Sequence, residues 1–262
     1  MGHLRDALAA LVKARADHSV RMREAPALSQ ARPRYLATFA LRDPGAGDEC
    51  ARMNSLSRRR FLATSSFALL AVPFARAAEP EWISLFDGKA LGKWKMTDFA
   101  GHADVEVKGG EILLPQGGDM TGINLEAAPA KMGYEVEFQA KRVEGDDFFG
   151  ALTFPVGEKH VTLVLGGWGG SVVGISNVNG ENASENETTQ FRNFKKGQWY
   201  RIRVRVTKAK IEVWVDKDQL VDLETEGKTL DMRIGEIESS KPFGIATWRT
   251  SGAIKEIRWR KL

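Results

Sequence analysis

Cysteine is nearly absent from this chain: Cys50 is the only one among 262 residues. The body that follows Glu79 therefore forms no disulfide and no thiolate metal site. Long apolar runs are missing too. The most hydrophobic stretch, Phe61 to Val72, is about a dozen residues, whereas a membrane-spanning helix needs about 20. No Ser-His-Asp signature, phosphate-binding glycine loop or H-E-x-x-H pair occurs, which removes the usual sequence signs of acyl transfer, nucleotide binding and zinc proteolysis. An excess of positive charge is lacking where it would matter. The formal charge is +4, but 13 Lys+Arg against 6 Asp+Glu lie before Glu79, leaving 25 against 28 from there on. The slightly acidic body gives no reason to expect a nucleic acid partner or an anionic membrane surface.

The basicity belongs to a leader. SRRRFLATSSFALLAVPFARAAEP combines Arg58, Arg59 and Arg60, an apolar run, and the small-residue site Ala75-Arg76-Ala77. These are the three parts of a secretory signal peptide, and Ser57-Arg58-Arg59-Arg60-Phe61-Leu62 resembles the twin-arginine export signal of bacteria. The expected organisation is an extension over 1–52 that is misassigned or disordered, with Met53 as the start, a signal peptide over 53–78, and a mature domain over 79–262. The mature chain is expected to be periplasmic or extracellular, with no integral membrane span.

Within 79–262 the apolar residues recur with period two, as half-buried strands require. In GYEVEFQAKR, Tyr134, Val136, Phe138 and Ala140 point one way and Glu135, Glu137, Gln139 and Lys141 the other. QWYRIRVRVT and KIEVWVD repeat the pattern, and VEVKGGEILL is divided by its Gly109-Gly110 turn. Short strands separated by Gly, Pro or Asp turns predict an all-β fold, a sandwich of two antiparallel sheets. In IKEIRWRKL, strict alternation cannot turn Ile254, Ile257 and Trp259 all inward, so a bulge is expected between Ile254 and Ile257.

The opening EWISLFDGKALGKWK and the closing IKEIRWRKL resemble the motifs that bracket the 3-keto-disaccharide hydrolase domain family. VEVKGGEILL, GYEVEFQAK, KKGQWYRIRVRV and KIEVWVDKDQLVD are similar to strands between those motifs. The resemblance, from Trp82 to Leu262, implies a concanavalin A-like jelly roll in an exported protein. It also implies hydrolysis or elimination at the glycosidic bond of a 3-keto-glycoside or disaccharide. A C3 ketone acidifies the C2 proton, so such a site needs a base near C2 and a cation or donors at the enolate oxygen. One strand departs from the family: HVTLVLGGWGG places His160, Thr162 and Val164 on one face where many members alternate Glu and Gln, so the family's carboxylates do not transfer there.

Trp168, flanked by Gly166, Gly167, Gly169 and Gly170, has little bulk around its indole, and an exposed aromatic plane suits a pyranose ring. A glycine-rich corner with Trp168 folded inward is the other reading. Trp248 is a second platform candidate or a core residue. The stretch SNVNGENASENETTQF is rich in hydroxyl-binding groups, so Glu185 and Glu187 are expected as base or acid, Asn177, Asn179 and Asn186 as hydroxyl contacts, and Arg192 as the cation at an enolate or carboxylate. A solvated loop of turn formers is the alternative for that stretch. His160, Asp146 and Asp147 are candidate ligands of a divalent metal ion. The expected function is thus a glycan-processing hydrolase or lyase with a carbohydrate ligand, and the alternative is a non-catalytic carbohydrate-binding module of the same fold.

Overall fold

The computed structural model describes residues 80–262, so the expected signal peptide over 53–78, the extension over 1–52 and Cys50 lie outside the described residues. Among the described residues there are fifteen strands and one 3₁₀ turn. In chain order they are β1 Ile83–Ser84, β2 Trp94–Met96, β3 Glu106–Lys108, β4 Glu111–Leu114, β5 Met120–Leu125, β6 Tyr134–Gly145, β7 Ala151–Val156, β8 Lys159–Gly167, β9 Val172–Ser176, β10 Gln190–Phe191, β11 Trp199–Val206, β12 Lys210–Val215, β13 Asp218–Glu224, the 3₁₀ turn Glu236–Ser240, β14 Phe243–Trp248 and β15 Thr250–Lys261. They form two antiparallel sheets of a concanavalin A-like jelly roll. The first runs β13-β12-β11-β6-β15-β4-β3, with β1 paired to β15, and the second runs β10-β9-β8-β7-β14-β5-β2.

Alternation builds the core. Tyr134, Val136, Phe138 and Ala140 of the first sheet are buried, and they share one cluster with Ile123, Leu152, Phe154, Leu163, Ile175 and Ile245 of the second. The Gly109-Gly110 turn has both residues at positive φ, +61° and +82°, the two-residue hairpin geometry that glycine adopts without steric cost. The predicted bulge is present: the β15–β6 register shifts between Lys255 and Arg258, Glu256 sits at φ +52°, and Ile254 and Ile257 are both fully buried. On the outer face of the first sheet Glu135 is buried beneath Arg260 and Arg205, so an outward position there is an ion-pair position rather than a wet one.

The outer face of the second sheet is made of small residues. Gly122, Ala246 and Ala151 lie in register across β5, β14 and β7, Val164 pairs Gly174, and Thr153, Thr162 and Ser176 form the adjoining row. Their small size lets connecting segments pack directly on the sheet. A Cβ on Gly122 would stand 2.9 Å from the Phe99 ring, one on Gly244 2.6 Å from the Ser240 carbonyl, and one on Gly174 2.8 Å from the Ala183 carbonyl. The gap left between these coverings is a cleft.

Candidate functional site

Residues from six segments converge on a cleft of about 480 Å³, a size typical of small-molecule sites. Its floor is Met120, Thr162, Val164 and Ser176, and its walls carry Asp119, Asp147, Phe148, Trp168, Trp248 and the 233–237 segment. Trp168 is 42% exposed and stands at φ +49° in the Gly166–Gly170 hairpin. The exposed reading of this residue therefore holds. Trp248, at the end of β14, also lines the cleft and packs on Phe148 at 6.3 Å between ring centroids. The guanidinium of Arg233 lies 5.9 Å from the Trp168 ring, and that of Arg249 lies 5.4 Å from the Trp248 ring.

Asp147 lines the same cleft as the two indoles. Its Oδ1 accepts from the Phe148 amide at 2.8 Å and its Oδ2 from the Gly169 amide at 3.4 Å, so the carboxylate is tied to the Trp248 side and to the Trp168 hairpin at once. Asp119 is ion-paired, accepting from Arg249 Nε at 2.6 Å, whereas the Asp147 carboxylate accepts from main-chain amides. Neither floor hydroxyl is idle: Thr162 shares a hydrogen bond with Thr153 at 2.9 Å, and Ser176 donates to Asn177 Oδ1 at 2.7 Å.

The amide-rich loop does not line this cleft beyond Ser176. Asn186 is buried, with Nδ2 donating to the Ile175, Glu181 and Asn182 carbonyls and Oδ1 accepting from the Thr188 amide and hydroxyl. Its amide is consumed in holding the loop on β9. Asn177 donates its backbone N–H to the Asp231 carbonyl and accepts from Ser176, so it reaches the cleft only through that hydroxyl. Asn179 is exposed and accepts from the Thr229 amide at 2.9 Å. Glu185 accepts from Asn182 Nδ2, and Glu187 accepts from Lys228 at 2.5 Å beside a second groove between β10 and β13. Arg192 is committed to Asp216 and Asp218 at 2.8 and 2.7 Å. The solvated-loop alternative fits this geometry better than a sugar rim, because main-chain and ion-pair partners already take up the groups.

The three candidate metal ligands do not meet. Asp147 approaches Gly167 at one end of β8 while His160 starts the other, about 23 Å away along an extended strand. Asp146 pairs with Lys196 at 3.2 Å. Among the described residues no three His, Cys, Asp or Glu side chains cluster as metal ligands. The pKa of His160 is lowered below its ordinary value by burial, with Lys241 and Lys131 adding repulsion.

Sequence reasoning passed over Asp119, Phe148, Arg233, Ile234 and Glu236. The last three sit in the long connection between β13 and β14, residues 225–242, which shows no alternation; its length was the available signal, since long structureless connections inside a domain are commonly functional.

The backbone is similar to several solved carbohydrate-related structures. An endo-acting O-glycanase of the human gut microbiota shares 15% identity over 70% of this chain and 98% of that one, with a TM-score of 0.48. The carbohydrate-binding module CBM66 of Bacillus subtilis shares 12% over 64% and 96%, at 0.42. Domain 4 of the extracellular arabinanase AbnA of Geobacillus stearothermophilus, in complex with arabinotriose, shares 15% over 64% and 82%, at 0.43. Among curated proteins none matches this sequence. Residues 81–262, the whole sandwich, match the family described as the 3-keto-alpha-glucoside-1,2-lyase-like domain, and the chain belongs to that family.

Proposed function

We propose that this is an exported carbohydrate-active protein that eliminates the glycosidic bond of a 3-keto-glucoside in the cleft between Trp168 and Trp248. The observation that carries this reading is the position of Asp147, a carboxylate that lines one cleft with two indoles in the domain that defines the family. Each indole supplies an apolar plane for one sugar ring. Asp147 removes the C2 proton, the electron pair passes to the C3 carbonyl oxygen as an enolate, and its return expels the oxygen on C1. The C1–O bond breaks, and the departing alkoxide takes up a proton. Water added afterwards at C1 makes the net reaction a hydrolysis. Arg233, with no carboxylate bonded to it among the described residues, is the rim cation available to the enolate oxygen. The base and cation roles thereby pass to Asp147 and Arg233 from Glu185, Glu187 and Arg192, whose groups are engaged elsewhere.

A carbohydrate-binding module is the second reading. It is favoured by the floor, where Thr162, Val164 and Ser176 carry no ionisable group and both hydroxyls already have protein partners. Incubating the secreted protein with a 3-keto-disaccharide and with its unoxidised parent separates the two. Release of the second sugar from the ketone alone supports the lyase; retention on a glycan resin without turnover supports the module; neither turnover nor retention overturns both.

A further inference from the structure

We propose that Arg142 is the positioning residue that locks Asp147 and Trp168 into one cleft wall; the proposal rests on the reading of that cleft as the sugar site. Position 142 continues the core-facing register of Tyr134, Val136, Phe138 and Ala140 along β6, where a large apolar side chain would fit the pattern. The chain instead buries a guanidinium there, with 4% exposure. Burial lowers its pKa from the ordinary guanidinium value, although arginine keeps its charge in proteins. Its Nε makes no hydrogen bond among the described residues, so stability alone does not explain the choice.

Its partners explain it. Nη2 donates to the carbonyls of Asp147 at 3.0 Å, Gly166 at 3.1 Å and Gly170 at 3.0 Å, and Nη1 donates to the carbonyl of Phe194 at 3.4 Å. Gly166 and Gly170 bracket Trp168 by two residues on either side. One nitrogen therefore holds the Asp147 turn and both ends of the Trp168 hairpin, while the guanidinium plane stacks on Phe149 at 4.9 Å. Among the described residues no carboxylate hydrogen-bonds it, so the group acts as a clamp on main-chain carbonyls. The glycine at 166 follows from the clamp: a Cβ there would lie 2.4 Å from Nη2, at φ +75°. A lysine ammonium ends one bond short of Nη2 and has no plane to stack on Phe149, so it does not take the same place among the three carbonyls.

The test uses the secreted protein labelled with 5-fluorotryptophan, whose seven tryptophans give seven fluorine signals, with the Trp168 signal assigned from Trp168→Phe. Two variants are compared, Arg142→Lys and Arg142→Met. The methionine fills the apolar volume but strands four carbonyls, so it is expected to lower the thermal midpoint, and the comparison is made below that midpoint. In both variants the Trp168 signal should change its shift and narrow as the released hairpin moves more freely, while most of the other six signals stay. Turnover of a 3-keto-disaccharide should fall about a hundredfold in kcat/KM in both, the size expected when a catalytic group is displaced by about 1 Å. An unmoved Trp168 signal in a folded Arg142→Met protein would overturn the proposal. So would loss of all seven shifts in both variants, which would make Arg142 a determinant of the fold rather than of the cleft. If the wild type turns over no ketone, the lyase reading fails while the fluorine spectrum still decides the clamp.

Discussion

With three carbonyls accepting from its nitrogen and two donors on its oxygen, Asn186 has little polar capacity left for a ligand. Removing it strands buried backbone groups at the join between the loop and β9. We therefore expect Asn186→Ala to lower unfolding stability by about 3 kcal/mol in urea titration, since each orphaned buried group costs about 1–3 kcal/mol. Trp168 is the opposite kind of residue: exposed, backed by glycines, and unneeded by the core. Trp168→Ala should leave the urea midpoint nearly unchanged and weaken binding of a 3-keto-disaccharide about tenfold in calorimetry, the worth of one aromatic platform. His160 carries a pH dependence of known sign. Because its folded pKa is lowered, the unfolded chain binds the proton more readily, so the stability His160 contributes is present above about pH 6.5 and is lost as the pH falls from there through the lower folded pKa. Urea midpoints measured at about pH 7 and pH 5.5 should show a small loss in the wild type that is reduced in His160→Gln.

The strands were legible because alternation is a direct consequence of the pleat, and each break in it had a readable cause. Ile254 and Ile257 share a parity conflict that only a bulge resolves, and the bulge is there. The coverings of the second sheet were not legible. Gly122, Gly174 and Gly244 lie inside strands, and no alternation pattern says that Phe99, Ala183 and Ser240 pack against them. The amide-rich loop misled for the same reason. Its composition suits sugar hydroxyls, but the same donors and acceptors satisfy its own backbone once Gly174 lets it lie on the sheet. Gly174→Val should therefore lift the loop from β9 and destabilise the protein by about 1–3 kcal/mol, with faster hydrogen exchange confined at first to the Ile175 and Thr188 amides. The cleft was half legible: an isolated indole among glycines was visible, whereas the Arg142 clamp and the 233–237 wall depend on carbonyl positions that no local pattern encodes.

At the scale of the molecule, one sandwich presents an ion-paired face and a face of small residues, and the cleft lies on the second. Among the described residues no helix is long and apolar enough to cross a membrane. If the basic, apolar and small-residue segments before Glu79 act as an export signal, mass spectrometry of the secreted protein should find its amino terminus close to Glu79. Family membership fixes the chemistry to look for, and the structure narrows where on the sandwich to look. The decisive measurement is kcat/KM on a 3-keto-disaccharide for Asp147→Asn beside Glu187→Gln, with folding checked by circular dichroism. We predict a loss of at least about a hundredfold for Asp147→Asn, the contribution of a positioned general base, and a rate near wild type for Glu187→Gln. The reverse order would move the chemistry out of the indole cleft and back to the amide-rich loop.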